Sequence, residues 1–312
     1  MGKINVCLSS DNNYAKHLGV VIASILYNAK EEDELSFYIL DGGIEDNLRK
    51  DIMSLKSLKD CDIKFIKIND EMFSEYKQVR THYYITLPSF YRLKLAQILP
   101  EVDRIIYFDC DFVVCTSLKE LFEKDIGNNI IAGVHDTNKR RVKKNPTYIN
   151  AGMIVFDLKK MREQNIEKEF FNWTITNIDK IKLGDQEIIN EVLKGKIEIL
   201  EDEWNVQSSN FSNRSSYTNN PKAVHMLGKP WVYASLCVHK YLYFKYLQMT
   251  PWSLTEEEYR HWTEDNERDS CIKYFKRRPF FWLRGCYYKA LWEQYFNPNN
   301  RKIVRTKIHG FA

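Results

Sequence analysis

The chain has 312 residues, 44% of them hydrophobic and 14% aromatic, enough to bury a substantial core in one large domain or two ordinary ones. No apolar run approaches the roughly 20 residues of a membrane-spanning helix, and the seven cysteines form neither a C-x-x-C pair nor a Cys/His run with zinc-ligand spacing. The net charge of +4 is uneven: residues 271–312 hold ten Lys or Arg against one acid, a tail of +9 that leaves −5 on the first 270 residues.

In chain order, Ile4–Leu8 reads as a strand and Ala15–Tyr27 as a helix. Ser36–Leu40 is a second strand, followed by a charged amphipathic stretch over Asp46–Leu58 and an alternating strand over Ile63–Ile68. Ser89–Leu99 is a predicted helix and Ile105–Phe108 the next strand. Ile130–Val134 and Met153–Phe156 read as buried strands, Lys159–Trp173 and Asp185–Leu193 as helices, and the Ser/Asn-rich residues 208–220 as a loop. Strand and helix alternate, which predicts an α/β fold with helices on the faces of a sheet. A basic, aromatic region starts near Pro251. The expected division is a main domain over 1–250 and a small, mainly helical extension over 251–312.

Such sheets bind ligands beyond the carboxyl ends of their strands. There is no G-x-G-x-x-G after the first strand and no G-x-x-x-x-G-K-[ST], so phosphates are not cradled by a glycine-rich loop. The run from Arg104 to Val114 contains Asp109 and Asp111, separated by one residue. In an extended chain both side chains project to one side, where a divalent cation, a basic side chain or water must separate them. The bland reading is a strand end with two solvated acids. Four other segments add to the pattern. In Ser9-Ser10-Asp11-Asn12-Asn13-Tyr14, Asp11 and Asn13 suit hydrogen bonds to a base edge and Tyr14 suits stacking; the plain alternative is a helix N-cap. His225-Met-Leu-Gly-Lys-Pro-Trp231 offers an imidazole and, at Lys229, a charge for a departing diphosphate, against ordinary turn chemistry. Leu183-Gly-Asp-Gln-Glu187 opens a helix, where Asp185 reads as an N-cap or, with Gln186, as a contact to sugar hydroxyls. Tyr148-Ile-Asn-Ala-Gly-Met153 has small residues that let a ligand approach the backbone, or is a loop-to-strand junction.

Taken in order over residues 3–235, S-x-D-x-N-Y, D-x-D, N-A-G-M, D-Q and H-x-x-G-K-P-W form one pattern, with Phe90–Leu93, Ala132–Asp136 and Glu203–Asn205 as supporting phrases. The sequence resembles glycosyltransferase family 8, retaining enzymes that include bacterial lipopolysaccharide glucosyl- and galactosyltransferases and glycogenin. The resemblance implies a single GT-A (Rossmann-like) nucleotide-sugar-binding domain with a mixed central sheet, a UDP-hexose donor and Mn²⁺, with Mg²⁺ as the alternative. It implies Asp109, Asp111 and His225 as metal ligands, and Ser9, Asp11, Asn13 and Tyr14 around uridine. Arg92, Gly228 and Lys229 would approach the phosphates. Asn150, Ala151, Asp185 and Gln186 would surround the donor sugar, with Asp185 and Gln186 at the reacting carbon and Asp136 and His82 nearer the acceptor. Here Gly228 is followed at once by Lys229, where the family places two more residues, which leaves the reach of Lys229 open.

The implied enzyme transfers glucose or galactose to a hydroxyl of a glycan acceptor, such as a lipopolysaccharide core or another surface glycan. The alternatives are a self-glycosylating protein of the glycogenin kind and a nucleotide-sugar-binding module without turnover. Because Gln186 is an amide and no carboxylate pair stands out, front-side attack is expected. The tail over 271–296 interleaves Arg and Lys with aromatics, which suits an anionic bilayer surface; the plain alternative is a helix packed on the body. The acidic body argues against nucleic acid. With no secretory leader after Met1, the expected location is cytoplasmic, peripheral on the inner face of the membrane.

Overall fold

The computed structural model describes residues 3–79, 87–208, 220–233, 235, 237, 239–265 and 269. His82 and the tail over 271–312 lie outside the described residues. Among the described residues, ten strands form two sheets. They are β1 (Ile4–Ser10), β2 (Leu35–Asp41), β3 (Asp62–Lys67), β4 (Arg104–Phe108), β5 (Phe112–Val114), β6 (Ile131–His135), β7 (Ile149–Asp157), β8 (Ile197–Ile199), β9 (Val206–Gln207) and β10 (Ala223–His225).

The larger sheet has the order β3-β2-β1-β4-β7-β6-β8. Strands β1 to β4 are parallel, whereas β7 runs antiparallel to both β4 and β6, so the sheet is mixed, as expected. The chain leaves β1 toward β2 and β3, then returns to β4 on the other side of β1. That reversal opens a crevice beyond the carboxyl ends of β1 and β4. Asp11 follows one of these ends and Asp109 the other.

Period-two alternation sends successive side chains to two cores. Val6, Leu8, Phe37, Ile39, Ile106, Phe108, Met153 and Val155 pack with the Ala15–Asn28 helix on one face. Cys7, Leu40, Ile105, Tyr107, Ile154 and Phe156 pack on the other, with Ile166, Phe170, Ile188 and Ile189. Each fully buried aliphatic or aromatic side chain contributes about 1.5–3 kcal/mol. A third cluster joins Val113, Val224 and Met226 to Tyr243, Phe244 and Leu247 of the Lys240–Leu247 helix, and Trp252, Tyr259 and Trp262 pack against it.

Two predicted helices are broken. The Lys159–Trp173 reading becomes Leu158–Glu163 and Ile166–Asn177, because Asn165 adopts a left-handed φ of 52° between them. Ser89–Leu99 resolves into the short turns Leu87–Phe90, Tyr91–Lys94 and Leu95–Ile98. There the Arg92 guanidinium occupies Ser89 O, the carbonyl that an unbroken helix gives to the amide four residues on.

Candidate active site

The loop after β1 is built around Asp11. Its Oδ1 accepts from the N–H groups of Asn13 (2.9 Å) and Tyr14 (3.2 Å), a local turn that competes with helix capping. Tyr14 itself occupies the N-cap position, without a side-chain cap, so neither Asp11 nor Asn13 is the helix cap. Ser9 closes β1 by donating to Pro88 O at 2.8 Å. Asn13 and Tyr14 are exposed, and the partial burial of Tyr14 raises its phenol above the ordinary value. Tyr14 meets Trp231 edge-on at 6.3 Å and Trp231 stacks on His17 at 3.8 Å, which ties this loop to the one that follows His225.

Asp109 and Asp111 do not share a strand face. β4 ends at Phe108, and the two acids lie in the turn to β5, which belongs to the smaller sheet β5-β10-β9. They converge because each arm of that turn is held separately. Asp109 N–H donates to Gly152 O at 2.8 Å, and Met226 N–H donates to Asp111 O at 2.7 Å. Antiparallel pairing sets His225 opposite Phe112, and their rings stack at 4.4 Å. One donor atom from each of Asp109, Asp111 and His225 then lies within 4.8 Å of the others.

The state of the His225 ring tests whether this cluster suits a cation. Asn150 Oδ1 accepts from Gly152 N–H (3.1 Å), which fixes it as the amide oxygen, and it faces His225 Nδ1 at 3.0 Å. A neutral ring has one N–H, and that acceptor takes it. His225 Nε2 therefore meets Asp111 Oδ1 at 3.1 Å lone pair to lone pair, unless a proton or a metal cation lies between them. Two carboxylates and one imidazole nitrogen suit a divalent cation that accepts mixed oxygen and nitrogen ligands, such as Mn²⁺, better than the oxygen-preferring Mg²⁺, so the residues fit a divalent metal. Two basic groups also hold the acids: Lys229 Nζ lies 2.5 Å from Asp111 Oδ2, and Arg92 NH2 lies 2.5 Å from Asp109 Oδ1. Burial works against the Asp111 charge, but the Lys229 ammonium beside it outweighs burial and holds the carboxyl well below the usual range.

The short loop does bring Lys229 to the site, at a backbone cost. Lys229 has a φ of 50° and precedes Pro230, whose ring favours extended backbone before it; such strain is on the order of 1 kcal/mol or more. Gly228 is required by packing, since a Cβ there would lie 2.8 Å from Cys237 Cβ. Gly152 is needed more acutely: a Cβ there would lie 2.3 Å from His225 Cε1 and 3.0 Å from Phe112 Cε2. Gly152→Ala is expected to destabilise the fold by about 1–3 kcal/mol through overpacking. Chemical denaturation measures this, and an unchanged midpoint would show that His225 is free to move.

Arg92 is 3% exposed and joins the halves of the site. Its Nε lies 3.1 Å from Asp185 Oδ2, NH1 donates to Ala151 O, and the guanidinium sits 4.1 Å over the Tyr107 ring. In this structure its hydrogen bonds go to protein groups. Asp185 is not an N-cap: Gly184, with φ 60° and ψ −132°, holds that position, and Asp185 is the first helical residue, facing Arg92. Burial pushes its carboxyl up to about 6, with Arg92 acting in the opposite direction. Gln186 is held at both ends. Its Oε1 accepts from Ala151 N–H (3.1 Å) and Asn150 Nδ2 (3.3 Å), while Nε2 donates to Asp136 Oδ2 at 2.9 Å. Asp136 is paired in turn with Arg141 at 3.2 Å.

The structure thus joins Asp109, Asp111, His225, Lys229, Arg92, Asp185, Asn150, Ala151, Gln186 and Asp136 in one network, with Asp11, Asn13 and Tyr14 at its edge. Sequence reasoning missed Asn205, which is fully buried and donates from Nδ2 to Asn150 Oδ1 at 3.0 Å. Its position in Glu203-Trp-Asn was the only signal.

The model of Glycosyl transferase family 8 matches residues 5–235. General stress protein A of Bacillus subtilis (strain 168) is 28% identical over 274 residues, covering 80% of this chain and 95% of that protein. The lipopolysaccharide 1,2-glucosyltransferase of Escherichia coli (strain K12) is 24% identical over 297 residues, covering 88% of this chain and 84% of that one. Among solved structures, the galactosyltransferase LgtC in complex with donor and acceptor sugar analogues superposes with a TM-score of 0.70 at 24% identity, covering 83% of this chain and all of the other. That likeness gives the fold as GT-A. The match of the family model over most of the chain, on the same residues that build the network, makes this protein a glycosyltransferase of family 8.

Proposed function

We propose that the protein is a metal-dependent, retaining hexosyltransferase that moves glucose or galactose from a UDP-sugar to a hydroxyl of a glycan. The observation that carries this reading is the Asp109–Asp111–His225 cluster, set in the crevice between the ends of β1 and β4. A Mn²⁺ or Mg²⁺ ion bound there would neutralise charge on a departing diphosphate. The chain's own residues supply the rest. Lys229, about one-third exposed, adds a fixed positive charge on the open side of Asp111, and Asp11, Asn13 and Tyr14 suit the uridine. Arg92 keeps Asp109 in place through its bonds to Ser89 O and Ala151 O.

Retention is supported by what surrounds Gln186. The neighbouring carboxylates are committed, Asp185 to Arg92 and Asp136 to Arg141 and Gln186, so neither is placed as an independent nucleophile. An amide held by Ala151 N–H and Asp136 is a positioning group. These facts favour attack by the acceptor hydroxyl from the face that UDP leaves. A surface glycan as acceptor is supported by the names of relatives, and cytoplasmic, peripheral membrane attachment by the +9 charge of residues 271–312. Incubation with UDP-glucose or UDP-galactose and Mn²⁺ is expected to release UDP slowly to water, and to give the α-anomer by NMR. Release from no UDP-hexose would overturn the reading, and a β-product would overturn retention.

A further inference from the structure

Beside Asp136 lies a cavity of about 600 Å³, within the size range of small-ligand sites, whose lining includes Asp136, Lys139, Val142, Lys143, Asn205 and Gln207. It adjoins the end of the network at which Gln186 Nε2 meets Asp136. Two independent features of its wall are unexplained by folding. Asn205 Oδ1 is buried without a hydrogen-bond partner among the described residues, an acceptor for which the fold supplies no donor. A sugar hydroxyl is such a donor.

The second feature is the helix Lys139–Lys144, KRRVKK, with five cations in six residues. Like charges four apart destabilise a helix, and here they recur as Lys139/Lys143 and Arg140/Lys144. Arg141 is paired with Asp136, whereas Lys139, Arg140, Lys143 and Lys144 are exposed and have no acidic partner among the described residues. A solvated surface helix usually mixes its charges; this one carries a single sign beside a cavity. It is also held in place: Asn138 caps it, and His135 Nε2 lies 2.9 Å from Pro146 O across the base of the loop. The lining acids do not cancel it, since Asp136 is already paired and only Asp202 remains against Lys139 and Lys143.

We infer that this cavity is the acceptor subsite and that it takes an acidic glycan, a sugar bearing a phosphate or carboxylate. Its hydroxyls face Asn205 and Asp136, and its anionic group lies on Lys139 and Lys143, charge-assisted contacts that distinguish it from a neutral sugar. The inference rests on the glycosyltransferase reading of the adjoining site.

The test is calorimetric titration of the full chain with glucose, glucose 6-phosphate and inorganic phosphate. Glucose 6-phosphate is expected to bind at least about tenfold more tightly than either of the others, with the advantage falling at high salt. The double variant K139E/K143E should lose that preference, and K168E, an exposed lysine on another helix, should keep it. Equal binding of glucose and glucose 6-phosphate overturns the inference. So does phosphate alone binding as tightly as glucose 6-phosphate, or a preference that survives K139E/K143E. Stabilisation by UDP with Mn²⁺, measured on the same preparations, reads the donor site separately: if it is present while the sugar-phosphate preference is absent, only the acidic acceptor falls.

Discussion

Asp111→Asn is expected to lower glycosyl transfer by about a thousandfold, roughly 4 kcal/mol of transition-state stabilisation, while leaving the fold intact. The substitution keeps the shape and the acceptor oxygen but removes the charge around which Lys229 and His225 are arranged. Stability should fall modestly: the lowered Asp111 carboxyl contributes to the fold at neutral pH, but the Lys229 ammonium it leaves behind is one-third exposed and water can hydrate it. The loss should fall on turnover and on metal affinity together, since the carboxylate is both a proposed ligand and the partner of the proposed phosphate-binding lysine. Kinetics of UDP release across a Mn²⁺ titration measure both. A variant that recovers full turnover at high Mn²⁺ would assign Asp111 to metal affinity alone.

Arg92→Met should act the other way, on the fold before the chemistry. The guanidinium compensates two carboxylates, Asp109 and Asp185, and the second is almost fully buried. Removing one partner of a buried ion pair costs about 3–5 kcal/mol, which in a chain of this size lowers Tm by about 10 °C. The pH dependence has a definite sign. The Asp185 carboxyl is raised in the fold to about 6, so its contribution to stability is full below the ordinary value near 4 and is lost as pH rises through 6. Without Arg92, which opposes that rise, the carboxyl is raised further. The deficit of Arg92→Met should therefore be largest at pH 7–8 and smaller near pH 5. Asp185→Asn in the same background should recover part of it. Scanning calorimetry across this range is the measurement, and a pH-independent deficit would mean that lost packing on Tyr107, not charge, dominates.

Much of this was legible in the sequence because the site sits at strand ends. The runs that became β1, β2 and β4 are largely apolar throughout because both of their faces are buried, β3 alternates, and the residues that follow β1 and β4 form the crevice. Asp109 and Asp111 were rightly grouped, but for a reason that does not hold: they lie in a turn between two sheets. The small sheet was hidden because β5, β9 and β10 have three, two and three residues, too few for a periodic signal. The same shortness hid how His225 reaches the acids, since that depends on pairing between residues more than 100 apart. Asp185 and Asp11 looked like caps because Asp is favoured there; burial beside Arg92 and a local turn decided otherwise. Asn205 gave no periodic or charge signal, and only its contact with Asn150 shows its place.

In the proposed enzyme, Asp109, Asp111 and His225 hold a divalent cation that a UDP-sugar needs. The most direct measurement is thermal stability of the protein with UDP-glucose or UDP-galactose, each with Mn²⁺ and with a chelator, for the native chain and for Asp109→Ala. A ligand that binds the folded state alone raises its stability once its concentration exceeds the dissociation constant, by about 2.7 kcal/mol at a hundredfold excess. The expected result is a rise in Tm of several degrees with nucleotide sugar and Mn²⁺ together, little with either alone, and none in Asp109→Ala. A rise that is the same in chelator, or that survives Asp109→Ala, would contradict it.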